Sequence, residues 1–90
     1  MLYTIQRLRG KRMAVVLVER RQLGWDLAAP LITHFQTEFS LPVMLVARDD
    51  TSWTNARAAA EFDAIPYLLE LLSTSDVDWN EEAVATPEWR

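Results

Sequence analysis

Three acidic residues that follow two apolar segments are the residues best placed to do chemistry. Glu19 comes directly after Met13–Val18, and Asp49 and Asp50 follow Val43–Ala47 after one arginine. If both segments are parallel strands, their carboxyl ends lie at one edge of a sheet, where open α/β sheets bind ligands. Carboxylate oxygens at such an edge are suitable ligands for Mg²⁺. The alternative is a solvated cluster of loop ion pairs, and the spacing favours it because it matches no metal-binding motif.

The other groups that could act in catalysis have no suitable sequence context. His34 is the only histidine, and Glu38, one helical turn later, is its candidate orienting partner. Neither Ser40 nor Ser52 lies in a nucleophile elbow. The chain has no cysteine and only two glycines, which excludes thiol chemistry and a glycine-rich phosphate loop. We therefore expect His34 to be structural or exposed, and the pattern favours a chain without a cofactor and without catalytic activity.

Four tryptophans in 90 residues are better suited to binding than to catalysis. Trp53 follows the segment Val43–Ala47, and Trp79 and Trp89 flank the acidic stretch 76–88. Tryptophan is enriched at interface hot spots, so these three are candidate partner-binding residues. The alternative is that the tail wraps around its own domain and buries Trp79.

Basic residues near the N-terminus form a second candidate binding region. Residues 1–48 carry seven basic and three acidic side chains, whereas residues 49–90 carry two basic and ten acidic ones, for a net charge of −4. Arg9, Lys11 and Arg12 could contact the phosphates of a nucleic acid. Nucleic-acid-binding domains normally show a larger basic excess, so the pattern favours charges that protect an exposed strand edge.

The hydrophobic pattern predicts three strands that position these residues. Leu2–Leu8 alternates weakly, as a half-exposed strand does. Gly10 lies in a short polar break that predicts a hairpin turn. Met13–Val18 and Val43–Ala47 are continuously apolar, which indicates central strands covered on both faces.

Two helices are predicted around these strands. Asp26 is the predicted N-cap of the first helix, which must end by Leu41 because Pro42 follows. Asp63 is the predicted N-cap of the second helix, along which apolar residues recur at helical spacing. These residues are Ile65, Leu68, Leu69 and Leu72. Residues 55–62 are alanine-rich and favour a helical turn, with a short edge strand as the alternative.

The order of these elements predicts a small α/β domain, on the border with α+β. A hairpin followed by a right-handed βαβ unit gives a ββαβα topology with a short, mixed, three-stranded sheet and two main helices. We assign residues 1–75 to this single domain and residues 76–90 to an acidic tail that contains Trp79 and Trp89.

The two apolar strands require cover on both faces of the sheet. Either the second helix crosses to the face opposite the first helix, or both helices share one face. In the second case the tail tryptophans or a second copy of the chain must cover the bare face, because a large open apolar face is rare on a soluble monomer. A homodimer through a sheet face is therefore one prediction.

The composition favours an acidic cytoplasmic protein that does not contact a membrane. It has no cysteine, and Met13–Val18, only six residues long, is too short for a signal-peptide core or a membrane span. The function we expect is a non-catalytic protein-interaction or accessory domain that binds another protein or itself. Two alternatives stay open: a metal-dependent enzyme that uses Glu19, Asp49 and Asp50, and a nucleic-acid-associated protein that uses the basic hairpin.

Overall fold

A computed structural model of the chain describes residues 2–49, 52–73 and 79–81. At residues 49, 52–54, 80 and 81 it describes the backbone alone. The helices in these ranges are a short 3-10 helix at Arg20–Leu23, helix α1 at Trp25–Phe39 and helix α2 at Ile65–Ser73. The strands are β1 (Leu2–Leu8), β2 (Lys11–Leu17), β3 (Val43–Asp49), β4 (Ser52–Ala59) and the two-residue β5 (Asn80–Glu81).

The strands form one mixed sheet in the order β4-β3-β2-β1-β5. β2 and β3 are parallel, as predicted, and the other neighbouring pairs are antiparallel. The predicted hairpin between β1 and β2 is also confirmed. Its turn holds Arg9 and Gly10 at positive φ angles of 50° and 77°, and a glycine adopts such an angle without strain.

The sheet is larger than the three strands predicted, because residues 52–59 form β4 at one edge. Of the two alternatives for the alanine-rich segment, the edge strand is right and the helical turn is wrong. Ala58 and Ala59 pair with Val46 and Leu45 of β3, and Arg57 pairs with Ala47. Alanine has the highest intrinsic helix propensity, but this preference is worth less than about 1 kcal/mol per residue, and the pairing with an apolar strand outweighs it.

The C-terminal end of α1 agrees with the sequence pattern, whereas its N-terminal end differs from it. Asp26 is not the N-cap: Gly24 occupies that position, and its carbonyl oxygen accepts the N–H groups of Leu27 and Ala28. Asp26 lies in the first turn instead, where a carboxylate interacts favourably with the helix dipole. The helix ends before Pro42, as predicted, with Ser40 in a left-handed conformation.

The two helices cover opposite faces of the sheet. Side chains alternate along β2, so Ala14 and Val16 pack under α1, whereas Met13 and Val15 face α2. The central residues of β2 and β3 are fully buried: Val15, Val16, Leu45 and Val46. The first of the predicted covers is therefore the one observed, and no second copy of the chain is needed to shield a sheet face. None of the helices in the described ranges combines the length and apolarity needed to cross a membrane.

Candidate functional site

Helix α2 is short, and local contacts define its start. A carboxylate oxygen of Asp63 accepts the backbone N–H of Ile65 at 3.3 Å, close to the capping role predicted for it. The carbonyl oxygen of Ala64 accepts the N–H of Leu68 at 2.8 Å, which closes the first turn. Pro66 lies within this turn, where its missing N–H leaves no helical bond unmade.

The inner and outer faces of α2 are both apolar. Leu68 and Leu71 point towards the sheet and are 6% and 2% exposed. Ile65, Leu69 and Leu72 are 59%, 61% and 38% exposed. The apolar face of a helix is normally the buried one, so the outer face of α2 has the composition of a covered surface.

The exposed residues of α2 form a continuous stripe. Ile65, Leu69 and Leu72 are spaced i, i+4 and i+7, which places them on one side of the helix over about 10 Å of its length. Their combined exposed area is on the order of a few hundred Å², comparable with the largest apolar patch of a typical monomer, and such patches are often functional. We call these three residues the outer stripe.

A groove runs beside the outer stripe, between α2 and the β1–β2 turn. Its volume is about 510 Å³, and Arg9, Ile65, Pro66, Leu69 and Glu70 line it. The backbone N–H of Arg9 donates a hydrogen bond to the Glu70 carboxylate, which ties the turn to the helix. The stripe is therefore bordered by one basic and one acidic residue.

The three basic candidates of the hairpin have different surroundings. Arg9 borders the groove beside α2, and Arg12 is exposed in β2, paired in register with Arg7 of β1. Lys11 is half-buried, with its Nζ atom 4.3 Å from the centre of the Phe62 ring. At that distance the ammonium group makes a cation–π contact within its own chain.

Two of the three acidic candidates, Glu19 and Asp49, lie at the carboxyl ends of the parallel strands, and the convergence of all three is outside what the structure describes. Glu19 is exposed and forms an ion pair with Arg21 at 2.7 Å, and it makes a capping box with Gln22 at the 3-10 helix. Asp49 ends β3 with only its backbone described, and Asp50 is outside the described residues. Within the described residues no group of three metal-binding side chains occurs, and the magnesium site stays a prediction.

The tryptophan candidates are described to different extents. Trp79 is half-buried against the α2 side of the core, and its ring lies 5.7 Å from the guanidinium carbon of Arg48. Trp53 lies within β4, where only the backbone is described, and Trp89 is outside the described residues.

His34 is half-buried on α1, and its ring packs edge-on against that of Phe35 with the centroids 5.1 Å apart. Its Nε2 atom is buried and has no hydrogen-bond partner in the described part of the chain, so this nitrogen is not oriented by Glu38.

The sequence pattern grouped the residues of the outer stripe but did not predict which residues of α2 are exposed. The pattern grouped Ile65, Leu68, Leu69 and Leu72 at helical spacing, whereas the structure turns Leu68 inward and the other three outward. The signal that could have revealed the outward face is the width of the apolar surface. With Leu71 included, it is too wide for one side of a helix to bury against one sheet.

Comparison with known proteins adds no functional information. The chain matches no protein-family model, no curated protein and no solved structure.

Proposed function

We propose that this protein is a non-catalytic protein-interaction domain that binds its partner through the outer face of α2. The observation that carries the proposal is the outer stripe of Ile65, Leu69 and Leu72, exposed on a helix whose opposite side is already buried. An apolar stripe with i, i+4 and i+7 spacing is the form in which helices dock onto apolar surfaces of other proteins.

Burial of this stripe would supply a substantial part of a binding free energy. Covering a fully exposed aliphatic side chain contributes about 1.5–3 kcal/mol, and these residues are roughly half exposed, so each contributes about 1 kcal/mol. The surrounding scaffold is pre-organised, because Leu68 and Leu71 hold the helix against the sheet. Binding therefore orders few additional groups, which lowers its entropic cost.

The contacts of the basic hairpin support this surface over the nucleic-acid alternative. Lys11 is directed at the ring of Phe62, and Arg9 borders the apolar groove beside α2. Two of the three basic candidates therefore lie on the α2 side of the molecule.

A photo-crosslinking amino acid introduced at position 69 tests the proposal in the cells that produce the protein. The matched control carries the same amino acid at Thr33, which is exposed on α1 at the opposite side of the sheet. We expect a discrete covalent protein adduct from position 69 and none from position 33. Equal adducts at both positions, or none at position 69, would contradict the proposal.

A further inference from the structure

We infer that Arg7 and Arg12 together bind a phosphate monoester group, on the face of the sheet that carries α1. The proposed function does not depend on this site, because the outer stripe lies on the other face. The two arginines are direct partners in the pairing of β1 with β2, next to the hairpin turn. Side chains that are directly opposite in an antiparallel pair have Cβ atoms about 4.5–5.5 Å apart, so both guanidinium groups can reach one anion.

The alternation of side chains along the two strands places this pair on the α1 face. Ile5 and Ala14, the neighbouring pair on the same side of the sheet, pack in the core cluster beneath α1. Arg7 and Arg12 lie two residues further towards the turn, so their side chains point to the same side. Both arginines are exposed, and the pair is therefore open to a ligand from solvent.

No acidic side chain neutralises the two arginines within the described residues. Neither guanidinium forms an ion pair there, and within the same ranges the side chain of Arg12 has no hydrogen-bond partner. Like charges that lie directly opposite each other on two strands destabilise the pairing. Folding alone would therefore favour an uncharged residue at one of the two positions, whereas an anion bound between them turns the repulsion into attraction.

Protection of a strand edge accounts for only one of the two arginines. Arg7 lies in β1, which β5 covers only at Leu2 and Tyr3 in the described residues, so a charge there guards the rest of that strand against pairing with other chains. Arg12 lies in β2, which is an inner strand between β1 and β3. The second arginine needs a different explanation, and an anion shared by two guanidinium groups supplies one.

The donors and the charge of the pair suit a phosphate group with two negative charges. Nη1 of Arg7 donates a hydrogen bond to the Gly10 carbonyl oxygen at 3.3 Å, which holds this guanidinium beside the turn. Its other N–H groups and the guanidinium of Arg12 form planar forks that match pairs of phosphate oxygens. A phosphate monoester carries a charge of about −1.5 to −2 at neutral pH, which balances two arginines. A carboxylate or a nucleic-acid diester carries a single charge and balances only one.

An NMR titration of the full chain with sodium phosphate at about pH 7.5 tests the site, with sodium chloride holding the ionic strength constant. We expect saturable shifts of the Nε–H signals of Arg7 and Arg12. The dissociation constant should be on the order of millimolar, because the site is exposed and binds one small group. Arg7→Gln and Arg12→Gln should each weaken binding about tenfold, since each removes charge-assisted hydrogen bonds.

Arg57→Gln is the matched control. Arg57 is an exposed arginine of β4, the strand at the other edge of the sheet, and it is paired with Ala47 instead of with a second arginine. This substitution should leave the affinity for phosphate unchanged. Shifts at Arg57 as large as those at Arg7 and Arg12 would show an adventitious ion only and would overturn the site.

The charge of the ligand is tested by pH. Between about pH 7.5 and pH 5 phosphate changes from its doubly to its singly charged form, whereas arginine stays protonated. Phosphate should therefore bind several-fold more weakly at the lower pH, and sulfate, which keeps two charges, should bind equally at both. A phosphate affinity that does not depend on pH, or a parallel loss for sulfate, would contradict recognition of the second charge.

Urea unfolding distinguishes a ligand site from a structural role of the arginines. In chloride Arg12→Gln should raise the denaturation midpoint, because it relieves the repulsion from Arg7. Phosphate should then raise the midpoint of the wild type and of Arg57→Gln more than that of Arg12→Gln, since only the first two retain the complete site. An equal loss of stability for Arg12→Gln in both salts would mean that the arginine only supports the fold.

Three further probes identify what carries the phosphate group. Tighter binding of a tripeptide with a central phosphoserine than of glycerol phosphate would support a phosphorylated protein as the source, and the reverse order would support a small metabolite. Dimethyl phosphate has the single charge of a nucleic-acid diester and should bind several-fold more weakly than either. Equal or tighter binding of dimethyl phosphate would overturn the preference for a monoester.

Discussion

The orientation of α2 can be tested with two neighbouring leucines that differ in little except their exposure. Leu68 is 6% exposed and packs against the sheet, whereas Leu69 is 61% exposed. We expect Leu68→Ala to lower the free energy of unfolding sharply and Leu69→Ala to leave the monomer almost unchanged. Both substitutions remove the same atoms from adjacent positions of one helix, so helix propensity cancels in the comparison.

The magnitude follows from burial. Truncation of a buried leucine to alanine costs about 2–5 kcal/mol, because transfer free energy is lost and a cavity remains. Leu68 keeps 6% of its surface exposed, so we expect a loss of about 3 kcal/mol, in the lower half of that range. Leu69 should stay within about 0.5 kcal/mol, as exposed substitutions usually do. For a domain of this length the Leu68 variant should melt about 12–24 °C lower than the wild type.

Urea unfolding followed by far-UV circular dichroism measures the difference. The protein should be kept near about 1 µM, and the measurement repeated at about tenfold higher concentration, so that any self-association is detected as a concentration-dependent midpoint. Leu71 and Leu72, 2% and 38% exposed, provide a second pair and should repeat the contrast. Equal losses for Leu68→Ala and Leu69→Ala, or a larger loss for Leu69→Ala, would refute the proposed facing of the helix and the outer stripe with it.

Three further substitutions test local features by chemical denaturation. His34→Leu should raise the free energy of unfolding by about 1 kcal/mol, because it removes a buried nitrogen without a hydrogen-bond partner. A lower denaturation midpoint than that of the wild type would contradict this reason. Gly10→Ala should lower the free energy of unfolding by about 1 kcal/mol. The loss comes from the φ of 77° and not from a clash, since an added Cβ meets no atom within 4 Å. Gly10→Asn should cost less because asparagine adopts this conformation more readily, and equal losses would contradict this reason. Lys11→Gln should cost about 0.5–1 kcal/mol through loss of the contact with Phe62, and Lys11→Arg should retain the contact; unchanged stability in both would show that the contact contributes nothing.

The elements in the first half of the chain follow from local pattern. The weak alternation of β1, the break at Gly10 and the two continuous apolar runs predict the hairpin and the parallel pair, which the structure confirms. The hairpin and the end of α1 depend on residues close in sequence, because pairing through a tight turn and a stop before proline are local constraints. The parallel pair follows from the order strand, helix, strand, because such a crossover joins parallel strands. The cap of α1 was missed by two residues, because Gly24 begins the helix without a side-chain capping bond, whereas the pattern favoured an aspartate whose carboxylate could make one.

The second half depends on contacts between distant residues. The alanines of β4 favour a helix by their own propensity, and it is the pairing with the apolar strand β3 that places them in a strand. The groove beside the outer stripe also depends on contacts between residues that are distant in the chain. Arg9 and Glu70 lie 61 residues apart in the chain, and no local pattern connects them.

The amino-acid sequence by itself determined which segments are strands and helices up to β3, and that both faces of the central strands must be covered. Only the tertiary structure decided which side of α2 is buried. Apart from Glu70 and Ser73 the residues of this helix carry no charged side chain or small polar side chain, so its own pattern offers two apolar faces. The sheet beneath it accepts Leu68 and Leu71, and this choice leaves Ile65, Leu69 and Leu72 at the surface.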